Sequence, residues 1–150
     1  MSTHRNIAGR VARPLLASNF ISSGLDAVQH PEGKVKAAER ITGPLASRLA
    51  VVPDDTATAV ALNGAVQVVA GAFLSFGVLR RTAAIALIGS LIPTTLAGHR
   101  FWEEIDEQAR VRQFTQFLKN LGLLGGLVLV AAEGTQPKTR ETTPSSHAAR

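Results

Sequence analysis

The residues with which this chain could do chemistry are polar side chains set in otherwise apolar stretches. Asp26 and Lys119 are ionisable, Asn63, Gln67 and Asn120 are amides, and His99 follows the third apolar stretch. A charge at the centre of a membrane helix costs roughly 2.5–3.5 kcal/mol on insertion scales, so such groups face a bundle interior or a wet cavity. Asn19, Ser23, Asp26 and His30 follow helical spacing and form one polar stripe, and Asn63 and Gln67 stand one turn apart. With alternate spans running in opposite directions, Asp26, Asn63, His99 and Lys119 fall in the same outer half, with Gln67 nearer the middle. The expectation is a polar pocket opening to one membrane surface, with Asp26 and Lys119 as an ion pair. The alternative is that these two charges snorkel separately to the interface.

Other chemistry is poorly represented. The chain has no Cys, which excludes thiol relays, iron–sulfur clusters and Cys-based zinc sites. Its His residues, at 4, 30, 99 and 147, show no ligand spacing, so no metal site is expected. There is no phosphate-binding loop, dinucleotide fingerprint or nucleophile elbow. Gly122 and Gly126 sit within an apolar run, which argues against a phosphate cradle. A pI near 10.7 invites a nucleic-acid reading. That reading needs basic residues on one face with aromatics to stack on bases, whereas here Tyr is absent, Trp occurs once, and Lys and Arg flank apolar runs. No nucleic-acid partner is expected.

The elements that must position these groups follow from where charge is absent. Residues 56–79 and 82–98 carry no formal charge. As a helix at 1.5 Å per residue, the first of these would reach about 36 Å, enough to cross a hydrocarbon core of roughly 30 Å. Spans are expected at about 7–29, 56–79, 82–98 and 113–132. A single helix through both uncharged stretches would be too long, so Gly77 and the Arg80-Arg81 pair predict a tight helical hairpin. A soluble bundle would need polar faces at helical spacing, but from Val66 to Val78 only Gln67 and Ser75 are polar. The Arg-rich start allows a cleaved signal peptide, but no A-x-A-like site follows the first apolar core.

The fold class expected is therefore all-α, an integral membrane four-helix bundle over residues 1–133 with short connections and one longer loop after the first helix. That loop, residues 30–55, has room for a short interfacial helix within 35–52. Residues 134–150, rich in Pro, Thr and Ser, are expected to be a disordered cytoplasmic tail. Gly64, Gly71, Gly122 and Gly126 are expected to serve close helix packing. Lys and Arg are nearly balanced between the two sides. The Arg residues flanking the first helix and the short Arg80-Arg81 turn favour a plasma-membrane topology with both termini in the cytoplasm.

Several strings resemble the DoxX family of small bacterial four-helix membrane proteins, itself similar in broad pattern to the terminal-oxidase-associated DoxD proteins. They are Arg13-Pro14-Leu15-Leu16 with Gly24, Asn63-Gly64-Ala65-Val66-Gln67 with Gly71, Gly77 and Arg81, and Pro93-Thr94-Thr95-Leu96-Ala97-Gly98-His99-Arg100-Phe101-Trp102. The last is Phe117-Leu118-Lys119-Asn120-Leu121-Gly122-Leu123-Leu124-Gly125-Gly126. The resemblance covers about residues 9–133. In one departure, family members often carry an acid where Gln67 stands, which removes a proton-handling group from that position. Asp26 likewise sits near a position where the family often has Lys.

The resemblance implies a bacterial plasma-membrane location and an association with redox work. Some relatives are subunits of a thiosulfate:quinone oxidoreductase, and others accompany enzymes that detoxify oxidants. One reading is a non-catalytic subunit or anchor of a redox or oxidative-stress complex, with redox or detoxification enzymes as partners, or a homo-oligomer. The other is a quinone-binding oxidoreductase component using the polar pocket. No resident cofactor is expected on the first reading and a quinone on the second. A lone transporter is disfavoured by the small number of spans.

Overall fold

The computed structural model describes residues 2–48, 50 and 52–133, with side chains from Gly9 onward. The tail expected at 134–150 lies outside the described residues. Those described contain helices and no strand: α1 (Ser2–Gln29), α2 (Glu32–Ala46), α3 (Thr56–Phe76), α4 (Arg80–Gly98), a 3-10 turn (Phe101–Glu103) and α5 (Glu107–Ala132). Three stretches, Thr56–Phe76, Arg80–Glu103 and Glu107–Ala132, are long and apolar enough to cross a membrane. The 28 residues of α1 supply the length, but Arg10, Arg13, Asn19, Asp26 and five serines and threonines dilute its apolar character.

The boundaries differ from the sequence reading where capping chemistry decides them. The expected hairpin forms, but its turn is Gly77–Leu79, and the arginine pair opens α4 instead of making the turn. Gly77 adopts φ 74°, Val78 N–H donates to the Phe73 carbonyl (2.9 Å) and Gly77 N–H to that of Leu74 (3.1 Å). This double bond is a Schellman stop, and it needs a residue that tolerates a left-handed backbone. Leu79 also takes a positive φ, 44°, a conformation that costs a branched residue about 1–2 kcal/mol and that the surrounding helices must hold in place. In the long connection, helix starts at Glu32, just after Pro31, and α2 ends at Ala46, earlier on both sides than the 35–52 expected.

Asp55 begins α3. The Thr58 hydroxyl (2.5 Å) and the Thr58 N–H (2.8 Å) both donate to its carboxylate, which holds its pKa below the ordinary carboxylate range. A carboxyl with a lowered folded-state pKa contributes stability above its unfolded value and loses it as pH falls through the folded one. Asp55→Asn should therefore keep the cap and flatten the acid limb of the detergent-solubilised melting curve. Asp55→Ala should lower the midpoint by a few degrees at neutral pH. Circular-dichroism melts across the acid range measure both.

α1 makes its most extensive contact with α3, α3 packs on α4, α4 on α5, and α2 lies across α3 and α4. Arg40 of α2 donates to Glu103 (2.7 Å), which also accepts from Arg100 (2.6 Å), pinning α2 to the end of the α4 stretch. Beside it Phe101 meets Trp102, Phe114 and Phe117 edge-on at ring-centroid distances of 5.1, 5.1 and 5.4 Å. Such an aromatic knot suits the polar–apolar boundary of a bilayer.

One core draws on α1 (Ala17, Phe20), α3 (Ala70, Leu74), α4 (Ala83, Ala84, Leu87, Leu91) and α5 (Leu127). Alanines alternate with leucines in this core, while many other large apolar side chains face outward: Leu15 is 68%, Leu129 69% and Phe76 83% exposed. Gln67, Ser90, Thr95 and Asn120 are buried. Buried amides together with so much large apolar surface facing outward are stable in lipid and unfavourable in water.

Candidate functional site

Asn63 and Gln67 share one face of α3, and across from them α4 presents Ser90 and Thr94, also one turn apart. The Gln67 amide donates to Ser90 Oγ at 2.9 Å, and the Asn63 amide to Thr94 Oγ1 at 3.2 Å. On the other side of α4, the Asn120 amide of α5 donates to Thr95 Oγ1 at 3.0 Å. Both threonine hydroxyls spend their protons on carbonyls one turn back, Thr94 on Ser90 (2.8 Å) and Thr95 on Leu91 (2.7 Å). Their lone pairs are thereby free to accept from the amides. Pro93 lies between these residues and removes one backbone donor from α4, so hydroxyl bonding to the helix backbone concentrates where the helix is weakest.

The result is a ladder of amide–hydroxyl pairs joining α3, α4 and α5. At its end, His99 Nδ1 and Gln113 Oε1 lie 2.9 Å apart, linking the C-cap of α4 to α5. Of the expected pocket residues, Asn63 and Gln67 thus lie on the α3–α4 side of a polar seam centred on α4, and Asn120 and His99 on its α4–α5 side. Ser90, Thr94, Thr95 and Gln113 are the partners that sequence reasoning missed. The spacing of Ser90 and Thr94, matching that of Asn63 and Gln67, is the signal that could have found them.

Asp26 and Lys119 stand apart from the seam and from each other. Asp26 is exposed and pairs with Lys34 of α2 and with His30 at 3.5 Å. The expected Asp26–Lys119 pair is not formed. Gly24 and Ala27 are buried, with Gly24 against α3, and at 100° per residue that register turns Asp26 away from α3. Lys119 is exposed, one residue round the helix from Asn120, which takes the buried position.

The packing glycines also divide. A β-carbon on Gly64 would lie 2.7 Å from the Gly24 carbonyl oxygen, one on Gly71 2.8 Å from Ile21, and one on Gly126 3.3 Å from Leu16. At Gly122 a β-carbon would meet nothing within 4 Å, so the packing role expected there is corrected: this glycine faces outward. Gly24, which the packing expectation left out, is the closest of all, its added β-carbon lying 2.5 Å from the Gly64 carbonyl.

An all-α chain with three membrane-length apolar helices and polar groups turned inward has the character of a membrane protein. A family model described as DoxX matches residues 10–100, and the chain belongs to the DoxX family. The match takes in α1, apart from its first residues, through α4 and stops before α5. Neither a curated protein nor a solved structure matches the chain.

Proposed function

We propose that this DoxX protein is a non-catalytic membrane subunit that anchors a redox or oxidative-stress complex at the plasma membrane. In this reading α1 is the fourth span, residues 1–133 form one bundle, and both termini face the cytoplasm. Its support is that α1 contributes Ala17 and Phe20 to the core shared by the other three long helices. The observation that carries the anchoring role is the use made of the buried polar groups. Gln67 with Ser90 and Asn120 with Thr95 form two hydrogen-bonded pairs across helices, and no Asp, Glu, His, Lys or Arg is fully buried among the described residues. Groups engaged in this way hold helices together.

A second reading, a quinone-binding component, draws on the shallow groove where Thr95, Asn120 and Phe117 meet. Its polar atoms and aromatic ring suit a quinone head, but its volume of about 140 Å³ is small. Sites for small organic ligands run to ~300–1,000 Å³. The magnitude favours the anchor.

Affinity purification from crosslinked membranes in mild detergent tests the proposal. The expected result is a reproducible soluble oxidoreductase partner. No such partner, with a quinone retained by the native protein and lost in Asn120→Leu, would reverse the ranking. Topology is read separately: a reporter fused after Arg150 should be active only in the cytoplasm.

A further inference from the structure

The turn between α3 and α4 gathers positive charge with no ion pair among the described residues. Arg13 reaches over from α1: a β-carbon placed on Gly77 would lie 2.7 Å from a guanidinium nitrogen of Arg13 and 4.0 Å from Cδ of Arg80. Arg81 is the next residue, and Arg80 and Arg81 are both exposed. Among the described residues the carboxylates that form ion pairs, Asp26 and Glu103, are engaged elsewhere, and none pairs with these three arginines. Arg13 Nε is moreover buried with no hydrogen-bond partner. Arginines gathered at one turn without an ion-pair partner are relieved by a bound anion.

A groove of about 390 Å³ opens beside the same turn. Val66, Val69 and Phe73 of α3 form one wall, and Leu79, Thr82 and Ala83 the other. Its lining residues Leu79 and Thr82 flank Arg80 and Arg81 in the chain, and it runs about 10 Å along α3 from Phe73 to Val66 at 1.5 Å per residue. That is two thirds of the ~15 Å of hydrocarbon in one leaflet. An apolar groove next to a cationic turn at the headgroup level matches one class of molecule in both parts.

We propose that this groove seats an acyl chain of an anionic glycerophospholipid, with the phosphate held by Arg80, Arg81 and Arg13. Guanidinium forks fit phosphate oxygens in pairs, and basic pockets between membrane helices on the cytoplasmic side attract anionic headgroups. The alternatives match less of the site. A quinone head is neutral and leaves the arginines unanswered. A second copy docked about a two-fold axis would set the same three arginines against themselves. Zwitterionic lipids bring an ammonium into a cationic rim. The inference needs the α3–α4 hairpin to lie in lipid, as the anchor reading does, but needs no partner enzyme, so the two fail separately.

The test is native mass spectrometry of the full chain released from mixed vesicles of phosphatidylglycerol and phosphatidylcholine, with inorganic phosphate alone as a third arm. The wild type should retain phosphatidylglycerol with at least about a tenfold preference over phosphatidylcholine. R80Q/R81Q should bring the two lipids to near parity. Ala65→Phe, which fills the inner end of the groove from an exposed position, should weaken retention of phosphatidylglycerol while leaving the fold intact. Equal retention of both lipids by the wild type, an unchanged preference in R80Q/R81Q, or binding of phosphate as strong as that of lipid would overturn the proposal. The wild-type competition decides it even where a variant fails to accumulate.

Discussion

Gly64→Leu is expected to abolish the monodisperse, detergent-soluble protein or to lower its melting midpoint more than any other single change considered. A β-carbon at Gly64 would stand 2.7 Å from the Gly24 carbonyl oxygen and 2.9 Å from the Ala27 β-carbon. The reciprocal substitution at Gly24 meets the Gly64 carbonyl at 2.5 Å. A flexible side chain could rotate away from such a contact; a backbone carbonyl cannot, so α1 and α3 must separate along their whole interface. In lipid that separation is not resisted by a hydrophobic drive between helices, because close packing is itself what holds them. Overpacking in protein interiors costs ~1–3 kcal/mol, and a backbone-to-backbone clash belongs at the upper end or beyond.

Gly122→Leu is the matched control. Nothing lies within 4 Å of a β-carbon there, so a change within about 0.5 kcal/mol is expected. Size-exclusion profiles and detergent melts of both variants decide the matter. Indistinguishable behaviour of Gly64→Leu and the wild type would remove the α1–α3 contact from the fold.

The second large effect concerns the seam. Gln67 is only 4% exposed, and its amide has Ser90 Oγ as partner at 2.9 Å. Gln67→Leu removes the donor, and Ser90→Ala the acceptor. Each alone strands a buried polar group and should cost ~1–3 kcal/mol. Together they leave two apolar surfaces facing each other, so the double variant should recover part of that loss. Membrane double-mutant cycles suggest a coupling averaging ~0.6 kcal/mol and reaching ~1.7. The same cycle on Asn120→Leu and Thr95→Ala should give a coupling of the same sign, since that amide–hydroxyl pair is buried too. Additive losses in both cycles would mean that the pairs do not hold the helices together. Partner capture by seam variants separates stability from function. On the anchor reading, variants that still fold retain the partner.

Much of this molecule is legible in its sequence. Charge-free runs at 56–79 and 82–98 announced lipid-compatible helices, Gly77 announced the hairpin, and the separation of Asn63 from Gln67 placed two amides on one face. These features are sums or spacings along a single helix, and neighbours do not alter them. The DoxX strings in the first three spans, apart from Phe101 and Trp102, lie within residues 10–100, the stretch the family match covers.

The relative rotation of the helices decided the rest. Side chains 100° apart on one helix meet entirely different partners, and nothing local records which way a helix is turned. That rotation sends Asp26 to Lys34 and leaves Lys119 outside while Asn120 is buried. It also makes Gly24 indispensable beside Gly64 and leaves Gly122 facing open space. Residue types and their spacing set what each helix could offer, but only the packed bundle, through backbone approach and helix phase, chose which offers were taken up.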